Sequence, residues 1–269
     1  MKILLNKDDL NEALQKVSNL GFVPTMGSLH KGHISLIKRS LKDCNKTLVS
    51  IFINPTQFNN KIDFKKYPRN YKKDLSILKK NRADFVFMPS IKEIYGSKKT
   101  SRIKFLEKDK ILCAKYRKGH FEGVLDVMKR LTKIIKPNKI FMGEKDYQQL
   151  YLIKKHLSKG KAKIIPCITI RDKNKLAISS RNKLLDKKDL SKAGKIAHNL
   201  LLFKKNLLLK KNNKDLINNK IKELKKLFKI KVEYLELRNK SNLKLSINTK
   251  NSKLFVAYYL KKVRLIDNF

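Results

Sequence analysis

Long apolar runs are missing from this sequence: none approaches the roughly 20 residues a membrane-spanning helix needs. The opening Met1-Lys2-Ile3-Leu4-Leu5 turns polar at Asn6, before a signal-peptide core forms, so a soluble, cytoplasmic protein is expected. Cysteine is scarce. Cys44, Cys113 and Cys167 are odd in number, widely spaced and outside any Cys-x-x-Cys or Cys/His pattern, which leaves reduced thiols rather than a disulfide framework or a metal ribbon. Proline and glycine thin out along the chain: all six prolines fall at or before Pro166, and of nine glycines only Gly194 follows Gly160. There are no internal repeats, and no carboxylate cluster announces a protein-held metal.

Acidic residues are few as well, 22 against 66 Lys+Arg, for a net charge of +44. A basic excess of this size ordinarily points to a nucleic acid, because clustered cations release counterions from a phosphate backbone. Here the excess is overwhelmingly lysine, spread along the whole chain and accompanied by abundant Asn and Ile. That is the signature of an A+T-rich coding bias rather than of a binding stripe, although the field would still attract anionic substrates.

What is present is ample for a globular fold. The chain has 269 residues, 41% of them hydrophobic, enough for one large or two modest domains. Strand-like runs at residues 21–25, 47–53, 84–88, 139–142 and 164–168 alternate with helical patterns. The clearest helix is expected over 121–135, with Phe121, Val124, Leu125, Met128, Leu131 and Ile135 on one face and Pro137 as its stop. This alternation predicts a doubly wound α/β domain with a parallel sheet, whose ligands bind beyond the carboxyl ends of the strands. The change in composition places it at 1–170 and leaves 171–269 as a smaller α+β domain. In the latter an amphipathic helix carries Leu216 or Ile217, Ile221, Leu224 and Phe228, with strands at 232–237 and 254–260.

Val23-Pro24-Thr25-Met26-Gly27-Ser28-Leu29-His30-Lys31-Gly32-His33 reads as a strand, ended by Pro24, running into a phosphate-binding turn that opens a helix. Ile34, Ile37 and Leu41 give the helical spacing. The amides and positive dipole end of such a helix suit an anion. His30 and His33, three apart, can point their rings the same way and donate to phosphate oxygens. This is the chemistry of nucleotidyl transfer from ATP.

Three further blocks carry polar groups, the first two of them directly after strands. Asn54-Pro55-Thr56-Gln57 brings two amides, which suit a small polar substrate. Gly143-Glu144-Lys145-Asp146 ahead of Gln148-Gln149 offers close approach at Gly143, a point charge for phosphate at Lys145 and an acceptor for ribose hydroxyls at Asp146. Ile178-Ser179-Ser180-Arg181 sets two hydroxyls and a guanidinium where they could wrap a triphosphate, or cap a helix.

In this order over residues 23–182, the four blocks resemble the pantothenate synthetases, AMP-forming ligases of pantoate and β-alanine. Tyr67-Pro68-Arg69, Arg117 with His120-Phe121-Glu122-Gly123-Val124, and the terminal Val263-Arg264-Leu265-Ile266-Asp267-Asn268 extend the resemblance over essentially the full length. It implies a Rossmann-like nucleotidyltransferase domain, a smaller C-terminal domain acting as a lid, a homodimer and a two-step reaction through pantoyl adenylate. By matching position it implies that Met26, Gly27, Ser28, Leu29, His30, Lys31, Gly32 and His33 line the ATP site, with His33 the candidate proton donor. Gly143, Glu144, Lys145 and Asp146 would contact the nucleotide, and Ile170, Ile178, Ser179, Ser180 and Arg181 would complete its pocket. His30, His33, Lys145 and Arg181 would neutralise charge at the α-phosphate. Gln57 and Gln149 would hold pantoate, Gln57 also serving β-alanine, with Asn54 nearby. Mg²⁺ would be carried mainly by phosphate oxygens and water, with at most one acidic ligand such as Asp74.

The chain departs from the family's habit at Lys31, where an acidic residue is commoner, at Asn174-Lys175 in place of Asp-Gly, and at Ile178 in place of Met. Two rivals remain at this point. One is another His-x-Gly-His nucleotidyltransferase, against which the neutral Gln57 and Gln149 speak, because a phosphorylated co-substrate calls for cations. The other is a lysine-rich nucleic-acid-binding protein on a disused enzyme scaffold, for which the charge is the sole support.

Overall fold

In the computed structural model, residues 1–59, 64–65, 67–96, 103, 105–157, 160–207 and 213–269 are described. They divide into two compact units, one of residues 1–144 and 149–168, the other of residues 145–148 and 169–269.

The first unit is built on a six-stranded sheet: β1 (Lys2–Leu4), β2 (Leu20–Thr25), β3 (Lys46–Ile51), β4 (Phe85–Phe87), β5 (Lys139–Gly143) and β6 (Lys163–Cys167). Their spatial order is β1-β4-β3-β2-β5-β6, every pair parallel. From β2 the chain steps outward to β3 and β4, then returns to the opposite side of β2 as β5. Neighbouring connections therefore leave β2 and β5 in opposite directions, the arrangement that opens a crevice at the carboxyl ends of the strands. β2 and β3 are buried over almost their whole length, as a sheet covered on both faces requires. Val23, Val49, Ile51, Val86 and Phe141 from the strands share one core with Leu36 and Ile37 of the helix Lys31–Asp43 and Leu78 of the helix Tyr71–Lys80.

The expected strands and the helix His120–Ile135 are present within a residue or two at most ends. Pro24 is a correction, because it lies inside β2 opposite Ser50. Leu20 exchanges bonds with Asn138 ahead of β5, whereas Thr25 O accepts from Phe52 N beyond β3. Alternation along the strand therefore turns the N–H that Pro24 lacks towards β5, where pairing already ends at Phe22 and Ile140. No ladder bond is lost. The edge strand β1 was not anticipated, being three residues long.

The second unit pairs an antiparallel sheet, β7 (Lys231–Asn239), β8 (Ser252–Leu260) and β9 (Val263–Asn268), with the helices Lys187–Leu207 and Asn213–Phe228. Ala193, Ile196, Leu200, Leu224 and Phe228 face Leu235, Leu237, Leu254, Val256 and Tyr258 in its core. The longest helix, Lys187–Leu207, and β9 went unpredicted: lysines interrupt the apolar stripe of the one, and β9 follows β8 after only two residues. Gly194 in that helix sits against Asn174, where an added Cβ would come within 2.6 Å of the Asn174 Cβ. Lys175 takes the left-handed conformation (φ 67°) in the turn where the family's Gly is commoner, a backbone a side chain adopts less readily.

One glycine sets how closely the helix His120–Ile135 approaches the turn after β3. An added Cβ on Gly123 would lie 2.4 Å from the carbonyl oxygen of Thr56. Gly-to-Ala in a helix ordinarily gains about 1 kcal/mol, but here overpacking against rigid backbone costs about 1–3 kcal/mol and outweighs it. Gly123→Ala is therefore expected to lower the urea midpoint; a rise would show that the backbone yields.

Candidate active site

The turn after β2 is held from below. Gly27 and Ser28 both have positive φ, 75° and 53°, and the amides of Ser28 and Leu29 donate to the two oxygens of Asp74, each at 2.8 Å. Asp74 is 2% exposed. Gly27 N donates to Thr25 Oγ1, which in turn donates to Ser50 O. An added Cβ on Gly27 would meet Asp74 Oδ2 at 2.9 Å, so glycine is required there by both conformation and space. With both oxygens committed to loop amides, Asp74 acts as a support for the turn rather than as the acidic metal ligand considered from the sequence.

His30 is the N-cap of the helix Lys31–Asp43, its Nδ1 accepting from Gly32 N at 3.2 Å. A neutral ring that accepts at Nδ1 carries its proton on Nε2 and can donate there. The His30 and His33 rings stack with centroids 4.0 Å apart and planes 27° apart. Lys31, between them, is exposed, and Met26 is half-buried.

Asn54 caps the short turn Pro55–Gln57 that follows β3. Its Oδ1 accepts from Thr56 N, Thr56 Oγ1 and the Tyr95 hydroxyl, and its Nδ2 donates to Gly123 O and Gln57 Oε1. At 1% exposure, with its amide engaged at both ends, Asn54 holds Gln57 instead of presenting an amide of its own. Gln57 Nε2 lies 2.8 Å from Met26 Sδ, which ties this turn to the one after β2. His120 supports the backbone of the same turn. Its Nε2 faces Arg117 Nη1, which can only donate, so Nδ1 carries the proton and donates to Gln57 O at 2.7 Å. Gly143 and Glu144 continue from the end of β5 in the same unit, and Gln149 is half-buried on the helix Tyr147–Leu157.

In the second unit, Lys145, Ser179 and Arg181 line a recess of about 350 Å³ together with Tyr258, Arg264 and Asp267. Ser179 Oγ accepts from Arg181 N and caps the turn Ser180–Leu184, so the cap considered from the sequence is real and the hydroxyl proton remains available to donate. Ile178 N donates to Ile170 O across the hairpin that carries both residues. Lys145 Nζ lies 3.3 Å from Asp146 Oδ1. Asn268 Nδ2 donates to Lys145 O, and Arg171 grips both oxygens of Asp267. These terminal residues belong to a block noticed in the sequence but given no role there. Tyr95 gave no signal at all, since a lone tyrosine ending the five-residue helix Ile91–Tyr95 carries no pattern.

A family model described as Pantoate-beta-alanine ligase matches residues 2–269. The chain belongs to the pantoate-beta-alanine ligase family. It is 41% identical over 280 residues to the pantothenate synthetase of Azobacteroides pseudotrichonymphae, covering 100% of this chain and 99% of that protein. It is 42% identical over 264 residues to the pantothenate synthetase of Francisella tularensis subsp. mediasiatica, covering 97% and 92%. Among solved structures, pantothenate synthetase from Thermus thermophilus superposes with a TM-score of 0.92 at 28% identity, over 100% of this chain and 99% of that one. The Francisella tularensis ligase, crystallised in complex with beta-gamma ATP and beta-alanine, matches with a TM-score of 0.83 at 39% identity, over 100% and 97%. The chain is thus a ligase, with the parallel-sheet fold of this ligase family and its small antiparallel C-terminal sheet.

Replacing Asp74 by Asn leaves one of the two turn amides facing an NH₂ donor and the other with only a neutral acceptor. A buried bond of this kind is worth about 1.5–3 kcal/mol. Asp74→Asn is expected to lose that much stability in urea and to expose Ser28 or Leu29 N–H to rapid hydrogen exchange. Retained protection of both amides would refute the support role.

Proposed function

We propose that this ligase condenses (R)-pantoate with β-alanine in two steps, at the expense of ATP. A pantoate carboxylate oxygen attacks the α-phosphorus, the bond to the bridging oxygen breaks, and pyrophosphate leaves behind a pantoyl adenylate. The β-alanine amine then attacks the acyl carbon, the bond to AMP breaks, and the amine gives up a proton as pantothenate forms.

The observation that carries this reading is the meeting of three motif segments at the carboxyl edge of one parallel sheet: residues 26–33 after β2, Asn54 to Gln57 after β3, and Gly143 and Glu144 at the end of β5. His30 and His33, at a helix N-terminus, serve the phosphates. His33 donates a proton as charge builds on the leaving pyrophosphate, and the helix end favours that charge. Gln57 and Gln149 hold pantoate through its hydroxyl and carboxylate oxygens, and Gln57 also neighbours β-alanine. In the second unit, Lys145 and Arg181 supply fixed positive charge, Ser179 and Ser180 donate hydroxyl protons, and Ile170 and Ile178 give an apolar wall for the adenine. The likeness to a Francisella tularensis ligase solved with an ATP form and β-alanine supports the substrate assignment.

Among the described residues no group of three or more His, Cys, Asp or Glu side chains could hold a metal, and Asp74 is engaged with the turn. The Mg²⁺ implied by the family is accordingly treated as part of the MgATP substrate. A homodimer and a cytoplasmic location belong to the same reading. No helix among the described residues is long and apolar enough to cross a membrane.

The test is AMP release from MgATP with pantoate and β-alanine supplied together and each omitted in turn. Dependence on both is expected; AMP formed without either, or none from folded protein, would overturn the assignment. His33→Ala should slow adenylate formation by roughly a hundredfold or more, as loss of a preorganised transition-state contact does. A near-normal rate in this variant would remove His33 from its role.

A further inference from the structure

The polarity of the buried network around Gln57 is fixed by two groups that leave no choice. Thr56 N–H can only donate and Gly123 C=O can only accept, and Asn54 meets them with opposite ends of its amide, at 3.3 and 3.1 Å. The Asn54 amide therefore cannot be flipped. Its remaining Nδ2 proton goes to Gln57 Oε1 at 3.2 Å, so Gln57 has its oxygen turned inward and its NH₂ turned towards Met26.

The strongest tie on Asn54 comes from outside the motif. Tyr95 Oη donates to Asn54 Oδ1 at 2.6 Å and also lies 3.1 Å from Thr56 Oγ1. Burial raises the phenol pKa above its ordinary value, which keeps the hydroxyl protonated as a donor. The ring is pinned by the Arg130 guanidinium, 4.8 Å above its centroid, and Arg130 is paired with the buried Asp126.

We propose that Tyr95 is a positioning residue: it holds Asn54 in the place from which the Asn54 amide, its polarity already fixed by Thr56 N and Gly123 O, turns the Gln57 NH₂ towards the substrate. This position then recognises a hydrogen-bond acceptor, a carboxylate or hydroxyl oxygen, and rejects a donor. The inference rests on the functional reading above only in naming pantoate as the molecule that supplies the acceptor. Tyr95 acts through its contacts with Asn54 and the Thr56 hydroxyl.

The test is a double-mutant cycle of Tyr95→Phe and Gln57→Ala, with KM for pantoate and for ATP measured separately. Alongside it, the Gln side-chain NH₂ resonances of the ligand-free protein are recorded, Gln57 being the signal lost in Gln57→Ala. Removing one neutral hydrogen bond is expected to raise the pantoate KM by about five- to tenfold while leaving the ATP KM within about twofold. No further loss is expected when Tyr95→Phe is added to Gln57→Ala, and the Gln57 NH₂ signal should move in Tyr95→Phe. Asn54→Asp, which sets an oxygen against Gln57 Oε1 and so favours the flipped amide, should raise the pantoate KM more than Tyr95→Phe does. Additive losses in the cycle, an ATP KM that rises as much as that for pantoate, or an unmoved Gln57 signal would each overturn the proposal. If the wild-type protein makes no pantothenate while the Gln57 signal still moves in Tyr95→Phe, the substrate reading falls and the positioning role stands.

Discussion

A buried strand can end only where other groups take over the hydrogen bonds of the chain leaving it, and in the turns after β2 and β3 several of those groups are side chains. Thr25 Oγ1 receives Gly27 N, Asp74 receives Ser28 and Leu29 N, and Asn54 receives Thr56 N. Leaving any of these amides unmet in the interior would cost about 1–3 kcal/mol. The polar residues that end the strands therefore also fix the turns, and the turns carry the histidines and the glutamine. Stability of the sheet edge and geometry of the site are one constraint.

The second unit meets a similar demand with charge. Arg171 holds Asp267 through two parallel bonds and also donates to the carbonyls of Lys175 and Asn268. Asn268 reaches Lys145 O. The last strand thus ties the segment carrying Lys145 to the sheet on which Arg171 and the hairpin to Ile178 rest. The long, mobile Lys145 side chain thus projects from a fixed stretch of backbone.

Much of this was legible beforehand, for identifiable reasons. The helix His120–Ile135 has an unbroken apolar face and a proline just beyond it, so periodicity alone located it. The strands β2, β3 and β5 are short apolar runs closed by Gly, Asn or Pro. Lys187–Leu207 was not legible because lysines dilute its stripe, and its burial is decided by contact with β8 and, at Gly194, with Asn174 rather than by local pattern. Pro24 misled because a proline is excluded from a central strand only where its missing N–H would face a partner, and register decides that.

The sequence by itself determined which chemistry is possible: a histidine pair three residues apart after a strand, two amide turns, a Gly-Glu-Lys-Asp block, and the family to which their order belongs. These are local patterns, readable because donors and acceptors close in sequence stay close in space. Only the tertiary structure decided that Asp74 supports a turn 45 residues away, that the Asn54 amide is fully engaged within the protein, and that Tyr95 holds Asn54 where it meets Gln57. Each of these depends on hydrogen-bond partners brought together by strand order and register, and no spacing along the chain encodes the direction in which a buried amide must point.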